Sequence, residues 1–251
     1  MEETRKTRTR EATMNYRRYF LAAILLFVSA LAIPSVMAVP TGASITFNST
    51  DYGPSSSPGS LTTNRSTITT IVLDAMQQDQ HWKAYIGNVT GTLTLDDVGN
   101  NTIYDWTGIT TAAGEVYASR NGSLNFGAVA CANSTVIGNE QTLMNMSVGD
   151  ADTIGRTFNS TAHSSTVVAG TTLSSCNMTS TYVNNASQGQ NSSASFQEFL
   201  MQDAGANLVY VAILNDNKAG YNGKTYDFQM IVAESHVQAP RTYYFYVELG
   251  S

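Results

Sequence analysis

The side chains able to catalyse a reaction or hold an ion are few and scattered. His81, His163 and His236 show neither HExxH nor His-x-His spacing and read as surface or turn histidines, not as a metal centre. Asp96 and Asp97, with Asp105 nearby, offer oxygen ligands of the kind Ca²⁺ prefers, but the Asp-x-Asp-x-Asp-Gly loop and its distal Glu are missing. They read as solvated acids of a turn. Asn215-Asp216-Asn217 before Gly220 reads as a loop between strands. The chain is rich in serine, but no G-x-S-x-G elbow marks one as a nucleophile. No catalytic residue, metal or cofactor is expected. Tyr104, Trp106, Tyr117, Tyr244 and Tyr246 would suit stacking on sugar rings if exposed, and core or cross-strand packing otherwise.

The remaining chemistry is that of an oxidising, glycan-bearing exterior. Cys131 and Cys176 are the only cysteines and are read as a disulfide; two buried thiols or a metal pair are the alternatives, and no His adjoins either. The N-x-[ST] pattern occurs at Asn48, Asn64, Asn88, Asn100, Asn121, Asn133, Asn145, Asn159, Asn177, Asn185 and Asn191, eleven of the twenty asparagines. Random placement at this Ser/Thr content would give roughly five. The last sixty residues have no such site, which suggests that the C-terminal strands lie inside the domain or against a neighbour.

Export explains both features. Phe20 to Ile33 is an apolar run broken only by Ser29, preceded by Arg17 and Arg18 and closed by Pro34. It is short for a membrane span and fits the core of a signal peptide, with Val36 and Ala38 at the −3 and −1 positions of a cleavage site. Residues 1–38 are therefore expected to be a signal peptide cut after Ala38, with Met14 as the initiator, since the first thirteen residues are long and acidic for an n-region. After Ala38, seven basic residues face sixteen acidic ones, a net charge of −9. Such a surface argues against nucleic acid as a partner, and limits contact with membrane to the signal peptide during export.

Residues 39–64, with Pro54, Pro58 and a run of serines, read as a low-complexity leader and first strand. The period-two alternation of Thr242 to Leu249 and Thr225 to Val232 marks half-buried strands, and Leu208 to Leu214 a strand buried on both faces. Thr92 to Leu95 and Thr102 to Trp106 flank a turn-rich Asp97-Val98-Gly99-Asn100 and read as a hairpin. Further strands are expected over Ala43–Asn48, Ser66–Leu73, Trp82–Val89, Glu115–Ser119, Ser165–Leu173 and Ser195–Met201. Helical spacing appears only at 136–158, where Ser147 to Asp150 has the spacing of a capping box before Ile154. The expectation is all-β: a single β-sandwich over 65–251, Ig-like or jelly-roll-like, with a small helical insertion.

The segments Trp82-Lys83-Ala84-Tyr85-Ile86-Gly87-Asn88-Val89-Thr90-Gly91, Ile103-Tyr104-Asp105-Trp106, Gly114-Glu115-Val116-Tyr117-Ala118-Ser119 and Tyr226-Asp227-Phe228-Gln229-Met230-Ile231 resemble exported proteins of small-genome archaea of the woesearchaeal type. The likeness runs over most of the mature chain, both cysteines included. It implies an archaeal cell surface and supplies no catalytic residues. The expectation for function is a noncatalytic, structural or adhesive glycoprotein of the envelope or of an extracellular filament. Its expected partners are copies of itself or other envelope glycoproteins, met through Tyr244 and Tyr246 on the last strand. A module binding carbohydrate or a host surface is the alternative, and a secreted hydrolase the third reading.

Overall fold

Leu208 to Leu214 carries no charged or amide side chain, so a strand formed there needs cover on both faces. The computed structural model describes residues 39–53, 58–60, 62, 65–66, 68–73, 78–106, 113–235, 237 and 240–250. The signal peptide with Met14 and Ala38, the sequon Asn64 and His236 lie outside them. Strands β1 (Thr41–Gly42), β2 (Trp82–Gly87), β3 (Leu93–Asp96), β4 (Thr102–Trp106), β5 (Gly114–Ser119) and β6 (Ala130–Cys131) precede helices α1 (Ser134–Leu143) and α2 (Ile154–Thr157). Then come β7 (Thr166–Val168), β8 (Thr171–Leu173), β9 (Met178–Ser180), β10 (Gln197–Gln202) and β11 (Leu208–Ile213). The last four are β12 (Lys218–Ala219), β13 (Thr225–Tyr226), β14 (Phe228–Ala233) and β15 (Tyr244–Leu249). The chain is mostly β and its sheets are antiparallel.

One seven-stranded sheet, ordered β1-β15-β5-β11-β10-β6 with β9 also on β10, organises the rest. Period-two alternation sends Val116, Ala118, Leu200, Tyr210 and Ala212 to one face, and Tyr117, Phe199, Met201, Val209 and Val211 to the other. The first face is covered by α1, by Ile154 and Phe158, and by the two-stranded β14-β2 sheet through Met230, Val232, Trp82 and Tyr85. The second is covered by the β7-β8 hairpin through Val168 and Leu173, and by Phe126, Val129 and Cys176. The outer layers are thus two-stranded sheets, helices and loops packed on a single large sheet.

Several expectations shift for local reasons. Ala43–Asn48 and the described residues of Ser66–Leu73 form no strand. Ser165–Leu173 is not one strand but the β7-β8 hairpin, because Ala169 and Gly170 both take positive φ (44° and 84°) and turn the chain in two residues. The helical stretch starts earlier, with Asn133 as the N-cap accepting from the Val136 amide at 2.9 Å. It breaks at Asn145, which sits in the left-handed region (φ 59°). Ser147 and Asp150 form a turn, the Asp150 carboxylate accepting from the Ser147 amide, while Thr153 takes the N-cap position of α2 without a side-chain capping bond.

Two hairpins share one turn chemistry. In Asp97-Val98-Gly99-Asn100-Asn101 and Asp203-Ala204-Gly205-Ala206-Asn207, the first Asp Oδ1 accepts from the Gly amide and from both the amide and Nδ2 of the final Asn. The fourth residue takes positive φ in each. The hairpin expected around Asp97 is therefore present, and an identical device joins β10 to β11.

The outer edge of β10 is completed by two short strands end to end, β6 opposite Met201 and Gln202 and β9 opposite Gln197 to Phe199. Cys131 and Cys176 are bonded to each other (Cα–Cα 4.9 Å) and staple those strands together across 45 residues of chain. Arg120, ahead of that loop, holds α1 inside it to the sheet by a two-pronged contact, Nε to Glu140 Oε1 at 2.7 Å and Nη2 to Glu140 Oε2 at 2.6 Å. Closing a loop of this length removes about 4 kcal/mol of unfolded-chain entropy. Replacing both cysteines by serine is expected to cost a similar amount in urea unfolding; an unchanged midpoint would show that the edge holds without its staple.

Candidate functional site

Burial collects the unusual chemistry beneath the β7-β8 hairpin. Glu115 on β5 and Glu248 on β15 are directly opposed in register, both buried, with the fully buried Tyr117 beside them. Tyr117 Oη lies 2.8 Å from Glu248 Oε2 and 3.4 Å from Glu115 Oε2, and Thr166 Oγ1 donates to Glu115 Oε1. Desolvation, with the Glu248 charge adding to it, pushes the Glu115 carboxyl up to about 7. Desolvation also raises Glu248 and, together with both carboxylates, Tyr117. A third acid, Glu198 on β10, is wholly buried; desolvation raises it strongly, and its Oε2 accepts from the Ile231 amide at 2.8 Å, linking β10 to β14. These acids tie layers of the fold together. A groove of about 530 Å³ is lined by Val39, Pro40, Leu124, Phe126, Ala169 and Tyr246.

His163 departs from the expected surface or turn position. His163 is buried, stacked on Phe199 with ring centroids 4.5 Å apart; its Nδ1 faces Ser164 O at 2.7 Å and its Nε2 accepts from the Cys176 amide at 2.9 Å. Desolvation lowers its pKa, and accepting a hydrogen bond at Nε2 requires the neutral ring. His163 therefore props one end of the disulfide. His81 meets Asp152, Nδ1 to Oδ2 at 2.6 Å, and takes part with Asp79 in a group whose ligand atoms all lie within 4.8 Å of one another. Asp152 is 71 residues from His81, so no local spacing announces this group, and Asp79-Gln80-His81 is its only trace in the sequence.

The aromatic residues divide. Tyr117 is 0% exposed, which removes it from any sugar-stacking face. Tyr246 is half-buried against Phe126 (centroids 5.8 Å) and donates to Asn121 O at 3.4 Å, whereas Tyr244 is 46% exposed and lies over Gly122. Only Tyr244 of the proposed contact pair faces outward. Asp97 is engaged by its own turn, whose hydrogen bonds from Asn101 and Gly99 hold its carboxyl below the usual range.

The β3-β4 ribbon is exposed throughout. Register places Leu93 opposite Trp106 and Leu95 opposite Tyr104, so these four share one apolar face, with Thr94 and Asp105 on the other. Of the sequons, Asn48, Asn88, Asn100, Asn133, Asn145, Asn159, Asn185 and Asn191 are exposed, and Asn121 and Asn177 half-buried. Their amides differ: Nδ2 of Asn177 donates to Phe158 O and Nδ2 of Asn159 to Arg156 O, each at 2.9 Å. Asn191 instead accepts at Oδ1 from the amide and hydroxyl of Ser193. No described helix is long and apolar enough to cross a membrane. Comparison with family models, with curated proteins and with solved structures returns no match.

A carboxyl whose folded pKa is raised adds stability that is complete below its unfolded value near 4.5 and is lost as pH rises through about 7. His163, lowered on folding, acts oppositely: its share is present above about 6.5 and lost on acidification. Glu115→Gln is therefore expected to gain on the wild type between pH 5 and 8, by on the order of 3 kcal/mol at the top of that range. Paired urea titrations across the range measure the difference; a pH-independent offset would refute it.

Proposed function

We propose that this chain is a noncatalytic, exported glycoprotein that serves as a structural or adhesive subunit of a cell surface or extracellular filament, joined to copies of itself. The observation that carries this reading is the apolar face of the β3-β4 ribbon, Leu93, Leu95, Tyr104 and Trp106, which stands exposed among the described residues. A two-stranded ribbon is marginally stable in water without a cover for its apolar face. The same chain carries a suitable cover. Beyond β1 it leaves the sheet after the Ala43 amide bonds Phe245 O, and the following strand-competent Ala43–Asn48 exposes Ile45 and Phe47. From residue 39 to 73 the only charges are Asp51 and Arg65, so the arm of a neighbouring copy would reach an acidic body with little repulsion. The disulfide suits an oxidising exterior, and a large sheet covered on both faces and stapled at one edge suits a durable coat.

A second reading, glycan capture, draws on Tyr104 and Trp106, which are exposed but meet edge-on (centroids 5.1 Å, 72°) and so present no shared flat platform. A glycan array separates the two. Light scattering of the full chain at its highest soluble concentration is expected to show oligomers that Leu95→Asp/Trp106→Asp abolishes, leaving the circular dichroism unchanged. A wild type monomeric throughout would overturn the reading.

Sugar attaches at Asn Nδ2, so transfer to the folded domain favours sequons whose Nδ2 is uncommitted. Glycopeptide mass spectrometry of native material is expected to find Asn191, Asn185 and Asn133 occupied well ahead of Asn177 and Asn159. Full occupancy at Asn177 with Asn191 bare would contradict this.

A further inference from the structure

We propose that Asp79, His81 and Asp152 form a site for one divalent transition-metal ion of the zinc class, clamping the segment that leads into β2 to the turn before α2. Three potential ligand atoms, one imidazole nitrogen and two carboxylate oxygens, converge within 4.8 Å of one another from segments far apart in sequence. His81 is half-buried and its Nδ1 stands 2.6 Å from Asp152 Oδ2. Asp79 is fixed from behind by the His81 amide, which donates to its Oδ1 at 2.7 Å. Asp152 is fixed through its main chain, its carbonyl accepting from Trp82 Nε1 at 2.9 Å, which leaves the carboxylate free to turn toward the ring.

The donor set selects the ion. An imidazole with two carboxylates suits zinc and its neighbours, whereas calcium and magnesium take oxygen ligands and gain nothing from the ring. Three protein ligands at such a site leave a fourth, tetrahedral position for water. One oxygen of Asp79 and one of Asp152 lie within 4.8 Å of each other and of the imidazole nitrogen, so both carboxylates reach one common position. Both cysteines are in the disulfide and both ring nitrogens of His163 are engaged, so neither offers a soft or imidazole ligand in competition.

The role of the ion is mechanical. The β14-β2 sheet covers one face of the central sheet, and the Glu234 amide bonds the His81 carbonyl at 2.7 Å, so the clamp would fasten that cover to the helical insertion at the same point. The test is calorimetric titration of the chelator-treated full chain with zinc chloride, with calcium chloride as a parallel arm, and thermal unfolding with each. Saturable binding of one zinc ion is expected, with Tm rising by about 5–10 °C at a hundred-fold excess over Kd. Asp152→Asn and His81→Gln are expected to remove both effects. Asp79→Asn, at an exposed position whose loss leaves the fold intact, is expected to weaken binding at least ten-fold. Absence of saturable zinc binding, a response to calcium alone, or zinc binding unchanged in Asp79→Asn and His81→Gln would each overturn the proposal. None of these outcomes bears on self-association through the β3-β4 ribbon.

Discussion

The fold rests on three adjacent strands, β5, β11 and β10, that present no side to water. Each sends apolar side chains alternately to both faces, so the sheet they form is stable only when two separate layers close on it. One layer is assembled from a two-stranded sheet and two helices, the other from a hairpin, loops and the disulfide. Every later feature of the molecule, including where acids become buried and where glycan sites remain outside, follows from how those covers are attached.

Attachment relies on polar devices at the seams. Arg120 and Glu140 tie α1 down, and with Glu140 nearly inaccessible, loss of Arg120 would strand a charge. Glu198 reaches from β10 to the backbone of β14, and the Glu115–Tyr117–Glu248 group sits under the β7-β8 hairpin. The disulfide closes the one edge where the sheet is finished by two broken strands, and neutral His163 supports the Cys176 backbone beside it. These groups resemble catalytic acids in their shifted protonation, but each faces another layer of protein. Their burial accounts for the shifts.

The outward features suggest contact with other molecules. Among the described residues, an amphipathic ribbon exposes its apolar face, the chain after β1 leaves the sheet with strand-like alternation, and N-x-[ST] asparagines are spread over the surface up to Asn191. Those features are what the proposed subunit would use, neighbours completing its hydrophobic closure and sugars, where attached, solvating the rest of its surface.

The sequence alone determined the β character, the hairpin at Asp97, the strands at Glu115, Leu208 and Tyr244, and the pairing of the two cysteines, because alternation, turn residues and a lone cysteine pair are local or exclusive signals. It misplaced the helix boundary and merged β7 with β8, since a left-handed Asn145 and an Ala169-Gly170 turn are weak signals in composition. Only the tertiary structure decided which faces are covered twice, that Tyr117 is interior while Tyr244 is not, and that Asp152 meets His81 across 71 residues. Such encounters depend on how layers stack, and stacking is set by the sum of many contacts distant in the chain, which no short window of residues encodes.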